Sequence, residues 1–239
     1  MQRSPPRVER SPPIADNPAM PSRHRVFLWI VSLTIVFSSV ALWGFKDFVP
    51  PKASNANTYA SKDTHPNEHV TAAVDVYNTS PKADIFITHF SDEGILPVFL
   101  VITNDGDQPI AVNNMRAELV TARRNKLEAL EVDDVFRRVA HIKGSSNPRT
   151  VGPITLPGGN KNKKAQQQYE ELTRAKFTAA AVEPHSTQSG FLFFDVQGVS
   201  QPVDGAHIYL TGIRDSNGND LMYFEIPLTP SNAASPGGR

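Results

Sequence analysis

The sequence predicts a mainly β fold: an antiparallel β-sandwich with a small helical insertion, preceded by a single transmembrane α-helix. Three observations carry this. Val26 to Phe45 is a twenty-residue stretch without a charge, the chain from Val70 to Thr229 is dominated by a period of two with closely spaced turn signals, and that period is broken once by a helical stripe. A length of 239 residues suits one ordinary domain with tails. Lys and Arg total 24, as do Asp and Glu, so the zero net charge disfavours nucleic acid as a partner. The absence of cysteine removes disulfides, thiol nucleophiles, Cys-ligated zinc, iron–sulfur clusters and lipoprotein processing.

Residues 1–25 read as a disordered cytoplasmic tail. Six prolines by Pro21 preclude a stable helix, and RSPP occurs twice, at Arg3 to Pro6 and Arg10 to Pro13. A repeated Ser-Pro in a pre-extended chain also suits polyproline docking or phosphorylation. Residues 26–45, VFLWIVSLTIVFSSVALWGF, rise about 30 Å as a helix, the thickness of a bilayer's hydrocarbon core. Trp29 near one end and Trp43, Phe45 and Phe48 near the other match the aromatic belts at the headgroups. Arg3, Arg7, Arg10, Arg23 and Arg25 precede the span, which by the positive-inside rule keeps the N-terminus cytoplasmic. The expected location is therefore the inner (plasma) membrane, with a lipid bilayer around residues 26–45 and the remaining domain extracytoplasmic, periplasmic in a Gram-negative cell. A cleaved signal peptide is the competing reading. The span is longer than a typical signal-peptide apolar region, and the small-residue patterns Ser39-Val40-Ala41 and Ser54-Asn55-Ala56 lie inside it and well beyond it, which favours an uncleaved anchor.

Residues 46–69, polar from Pro50 to Glu68, read as a linker. The sandwich is then expected over 70–229. Its strands are predicted at Val70 to Tyr77, Ile85 to Phe90, Leu96 to Asn104, Pro109 to Val112, Met115 to Ala122, Phe177 to Val182, Phe191 to Val196, His207 to Ile213 and Leu221 to Pro227. Three segments, Val98 to Ile102, Phe191 to Val196 and Leu221 to Ile226, are apolar on both faces. In the second, Phe191 and Phe193 share one face while Leu192, Phe194 and Val196 share the other, so a further layer or a partner must cover the extra surface. Residues 128–176 supply a cover. Val132, Val135, Phe136 and Val139 form a helical stripe within Glu131 to His141, with i,i+4 pairs expected at Asp133–Arg137 and Asp134–Arg138. An irregular stretch from Gly144 to Lys164 follows, then a second helix at Ala165 to Lys176. Residues 230–239 read as a disordered tail.

The phrases LPVFLVITNDGDQPI, VEPHSTQSGFLFFDV and HIYLTGIRDSNGNDLMYFEIPL resemble the extracytoplasmic immunoglobulin-like domains of bacterial membrane-anchored proteins of unknown function. The resemblance spans residues 85 to 229 and is one of strands and turns. It implies an immunoglobulin-like sandwich and no activity, with the 128–176 insertion as its departure from a minimal form.

No catalytic, cofactor-binding or metal-ligating set stands out. His65, Glu68 and His69 lie close in sequence, but Glu does not directly follow the first His and Pro66 interrupts the helix that an HExxH site needs. Asp215, Asn217, Asn219 and Asp220 alternate oxygen groups, yet lack the Gly and Glu of a calcium-binding EF-hand loop, and a hairpin turn accounts for them. Lys161, Lys163 and Lys164 form a small basic run in an expected loop, read as a solvated surface or a contact to anionic headgroups or glycans. The expected function is a non-enzymatic envelope module that binds a protein or glycan partner or serves assembly, with no cofactor. The alternative is an envelope hydrolase or carbohydrate-active enzyme whose site gathers distant residues, His89, Asp92, Glu93 and His185 being its candidates.

Overall fold

The computed structural model describes residues 48–141 and 160–228. The predicted membrane span at 26–45, both predicted tails and most of the irregular stretch after Gly144 lie outside these residues. Among the described residues no helix is long and apolar enough to cross a membrane.

Hydrogen bonding organises the described residues into two four-stranded antiparallel sheets and one small pair. The first sheet consists of β1 (Ser61–His65), β2 (Val70–Val76), β3 (Ile95–Asn104) and β8 (Ser186–Asp195), in that spatial order. In the second, β10 (Phe224–Pro227) lies beside β9 (His207–Thr211), then β5 (Arg116–Val120) and β6 (Lys126–Glu128). The small pair joins β4 (Ile110–Ala111) to β7 (Ala181–Val182). Among the described residues, two α-helices, α1 (Val132–Val139) and α2 (Asn160–Ala175), fall between β6 and β7. The chain is thus mainly β, antiparallel, with few helices.

Side-chain alternation explains how these parts stack. In β3, Leu96, Val98, Leu100 and Ile102 point to one face, where they meet Leu119, Ile208, Leu210, Phe224 and Ile226 of the second sheet. The alternate positions Ile95, Phe99 and Val101 point the other way, joined by Phe191 and Phe193 of β8, and are covered by Val135, Phe136 and Val139 of α1 and Leu172 of α2. The first sheet is therefore buried on both faces, as the doubled apolar pattern of Val98 to Ile102 and Phe191 to Val196 requires. Burying a Phe fully is worth about 2–3 kcal/mol, so the second layer contributes as much as a small core of its own. The α1 stripe falls where its spacing predicts. Asp133 and Asp134 occupy its first turn and Arg137 and Arg138 its last, complementing the helix dipole.

Several expectations are corrected. The residues read as a linker contain β1, which pairs with β2 from Ser61↔Val74 to His65↔Val70, and Phe48 and Ala56 are buried, so the folded unit begins before Val70. Ser61 to His65 is too polar to read as a strand alone; pairing makes it one. The predicted strand Ile85 to Phe90 is instead two 3-10 turns, Ala83–Ile85 and Phe90–Glu93. Its Ile87 and Thr88 N–H groups donate to the Glu171 carboxylate of α2 at 2.5 and 3.0 Å rather than to a strand, while Phe86 and Phe90 enter the second core. Leu221 to Ile226 is not buried on two faces, because Met222 and Tyr223 are 70% and 51% exposed. Neither i,i+4 ion pair in α1 forms: Arg137 donates to the Asp133 backbone carbonyl and pairs with the Asp134 carboxylate, each at 3.2 Å, and Arg138 reaches Asp195 of β8 at 2.5 Å. The run at Lys161, Lys163 and Lys164 belongs to the first turns of α2 rather than a loop, with Lys163 and Lys164 exposed.

Tyr77, just beyond β2, sits edge-on to Phe191 and Phe86 in the second core. Burial pushes its phenol up to about 12, with Asp75 and Tyr59 adding to the effect. The folded state holds this proton more tightly than the unfolded chain, so the associated stability is complete below about pH 10 and declines as pH rises toward 12. Tyr77→Phe is expected to flatten the loss of unfolding free energy between those pH values, as measured by urea titration at a series of alkaline pH values.

Candidate functional site

Three regions gather chemistry-bearing side chains. The first is a cleft of about 750 Å³ where the turns before β3 meet the chain leaving β8. His89, Asp92 and Glu93 line it together with Thr88, Arg138 and Gln197. Gly94, at φ 64°, closes the second 3-10 turn and aims this loop across Gln197. Asp195 accepts from Arg138 and from the Gln197 N–H, and the Arg138 hydrogen bond is the main cause holding its carboxyl below the usual range. Glu93 faces His141 at 3.4 Å. His89 and Asp92 are exposed.

His185, the fourth hydrolase candidate, is elsewhere. It lies next to Ser186, which pairs with Asn104, whereas the cleft adjoins the Ile95↔Asp195 end of the same ladder. Nine residue steps of strand, about 30 Å, separate the two ends. His185 is exposed and pairs with Asp107 at 3.1 Å. The four candidates therefore do not converge.

The second region is the meeting of the outer strands β1 and β10. Here side chains take the place of a backbone ladder: Asp63 accepts from the Glu225 N–H at 2.9 Å and Glu68 from the Met222 N–H at 3.1 Å. His65 stacks on Phe224 with ring centroids 3.9 Å apart, its Nδ1 2.8 Å from Glu68 and its Nε2 3.4 Å from Asp63. His69 sits at the hairpin turn with φ 56°. Among the described residues no three His, Asp or Glu side chains are grouped to hold a metal ion. The Asp215 loop is similarly self-satisfied. Asp215 accepts from the Asn217 and Asn219 N–H groups and the Asn219 side chain, which together hold its carboxyl low, while Asp220 accepts from Arg214 at 2.7 Å.

The third region is the outer face of the second sheet. Ile208 and Leu210 point into the core, so His207, Tyr209 and Thr211 point outward. Register places Tyr209 opposite both Glu118 and Glu225, and Glu118 opposite Glu128. Tyr223 lies beside Tyr209, with centroids 6.0 Å apart and ring planes within 31°. The Tyr209 hydroxyl donates to Glu225 at 2.5 Å, which raises its pKa. Lys126 lies 3.6 Å from Glu118, and His207 lies 4.0 Å from Glu225. Two tyrosines, Tyr223 exposed and Tyr209 half-buried, thus lie side by side on this face, next to carboxylates.

Of the four edge strands β1, β8, β10 and β6, the first three are guarded. Along β8, Phe191 and Phe193 accept from the N–H groups of Phe177 and Leu130. With β1 and β10 bridged by Asp63 and Glu68, strand addition is blocked at these edges.

No family model matches the chain, and no curated protein matches it. Among solved structures it is similar to Northeast Structural Genomics Consortium target SoR45, at 11% identity and a TM-score of 0.30, over 72% of this chain and 95% of that one. A conserved hypothetical protein from Bacillus anthracis aligns at 11% identity and 0.29, covering 70% and 91%. The secreted protein MPT63 from Mycobacterium tuberculosis aligns at 13% and 0.27, covering 73% and 97%. These likenesses are too distant to name a family.

The sequence reading missed the tyrosine face because it placed Met222 and Tyr223 in a doubly buried strand. A signal was present: the strand's inward residues, Phe224 and Ile226, alternate with Tyr223 and Glu225, the pattern of one wet face. Glu171 gave no local signal, since its partners are more than eighty residues away in sequence.

Proposed function

We propose that this chain is a single-pass, membrane-anchored envelope protein whose extracytoplasmic unit is an immunoglobulin-like β-sandwich acting as a binding or assembly module. The uncharged stretch at 26–45 and the arginines before it support the anchor and its orientation. Two antiparallel sheets sharing a core support the sandwich class. The observation that carries the binding reading is Tyr223, 51% exposed, beside the half-buried Tyr209 on the outer face of the second sheet, an aromatic pair that no further layer covers among the described residues. The hydrolase alternative is weaker on this geometry, because His185 is at the far end of β3 from the cleft that holds His89, Asp92 and Glu93.

Full-length chain carrying a C-terminal tag is expected to sediment with membranes, and protease added to spheroplasts is expected to remove the tag. A protected tag would overturn the topology. The purified unit from Asp47 onward is expected to be retained by washed envelope fractions, and Tyr209→Ala combined with Tyr223→Ala to reduce retention at least tenfold. Undiminished retention of the double variant would overturn the assignment of the contact face.

A further inference from the structure

We propose that the outer face of the second sheet takes a neutral glycan chain, with Tyr209 and Tyr223 as stacking surfaces and Glu118 and Glu225 as hydroxyl acceptors. This deepens the binding reading above and rests on it. Two tilted tyrosine rings with centroids 6.0 Å apart, Tyr223 exposed and Tyr209 half-buried, offer aromatic surface of the kind that packs against the C–H faces of sugar rings.

The polar groups around the two rings select the class of occupant. A cross-strand row carries Glu128, Glu118, Tyr209 and Glu225, and like charges directly opposite, as at Glu118 and Glu128, cost stability. Burying those carboxylates against the apolar centre of a protein interface would leave them desolvated, and charged residues are depleted from such centres. Sugar hydroxyls instead donate to carboxylates, making charge-assisted hydrogen bonds in place of the lost water. Arg116 and Lys126 project from the same face and His207 stands beside Glu225, so donors and acceptors are interleaved and the face holds no strong field of either sign. That mixture disfavours a polyanion or a polycation and suits an uncharged polyhydroxylated chain. With β1, β8 and β10 guarded along their edges, a peptide adding as an extra strand has no entry there.

The test is calorimetric titration of the full-length chain in nanodiscs with chitohexaose and cellohexaose, repeated with a photo-crosslinker in place of Tyr223 in the cell. At least one hexasaccharide is expected to bind saturably. Tyr209→Ala and Tyr223→Ala are each expected to weaken it tenfold or more, and Tyr169→Ala, an exposed tyrosine on α2, to leave it within twofold. Binding of neither sugar, or binding indifferent to Tyr223→Ala, overturns the proposal. If neither sugar binds but the crosslinker captures a protein, the glycan class fails while the contact face stands. If neither sugar binds and nothing is captured, both fail.

Discussion

Phe191→Ala is expected to lower the unfolding free energy by about 4 kcal/mol, measured as a shift of the urea midpoint without a change of slope. Phe191 is 1% exposed and lies at the centre of the second core. Its ring is 4.9 Å from those of Tyr77 and Phe86 and 5.0 Å from Phe99, with Phe48 and Phe193 at 6.4 Å. Deleting it removes the transfer free energy of a large side chain and leaves a cavity whose walls come from several elements of the fold. Those walls are held by separate parts of the backbone and cannot collapse together, which places the cost toward the upper end for such changes. A loss below about 1 kcal/mol would mean that the helical layer does not pack on the first sheet as described.

Gly190→Ala should be nearly as damaging, by about 3 kcal/mol, and for a different reason. A Cβ at position 190 would lie 2.4 Å from the Phe177 Cα and 2.6 Å from its nitrogen, contacts with backbone that no rotamer change relieves. The crossing of residues 176 and 177 over β8 lets Phe177 donate to the Phe191 carbonyl at 3.0 Å, which covers that edge. Moving the segment outward would break this bond and withdraw Phe177 from the first core. Hydrogen exchange should show faster exchange at the Phe177 amide in Gly190→Ala even where the global fold survives. Unchanged exchange there would contradict the crossing.

The parts of the fold that could be read in advance are those with dense local signals. Val98 to Ile102 and Phe191 to Val196 announce two buried faces by carrying apolar residues at both parities, and the Val132, Val135, Phe136 and Val139 stripe announces the helix that covers one of them. The parts that could not be read depend on partners distant in the chain. Ser61 to His65 becomes a strand through β2 and is tied to β10 by Asp63, whose acceptor role appears only when Glu225 is beside it. The loop at Ile87 and Thr88 escapes strand pairing because Glu171 satisfies its N–H groups from another layer. Arg138 exchanges its expected helical partner Asp134 for Asp195 on β8, a choice that tertiary proximity makes. The tyrosine face lies between these cases: its alternation is in the sequence, but the pairing of Tyr209 with Tyr223 requires the hairpin to close.

The central claim is that the outer face of the second sheet is occupied in the cell envelope. Hydroxyl-radical footprinting tests it on the unaltered chain, comparing intact cells with purified protein. Tyr169, 39% exposed on α2, serves as the internal reference. The account predicts that Tyr223 is oxidised at least several-fold more slowly in cells than in the purified protein, with Tyr169 unchanged. Equal oxidation of Tyr223 in both would contradict it.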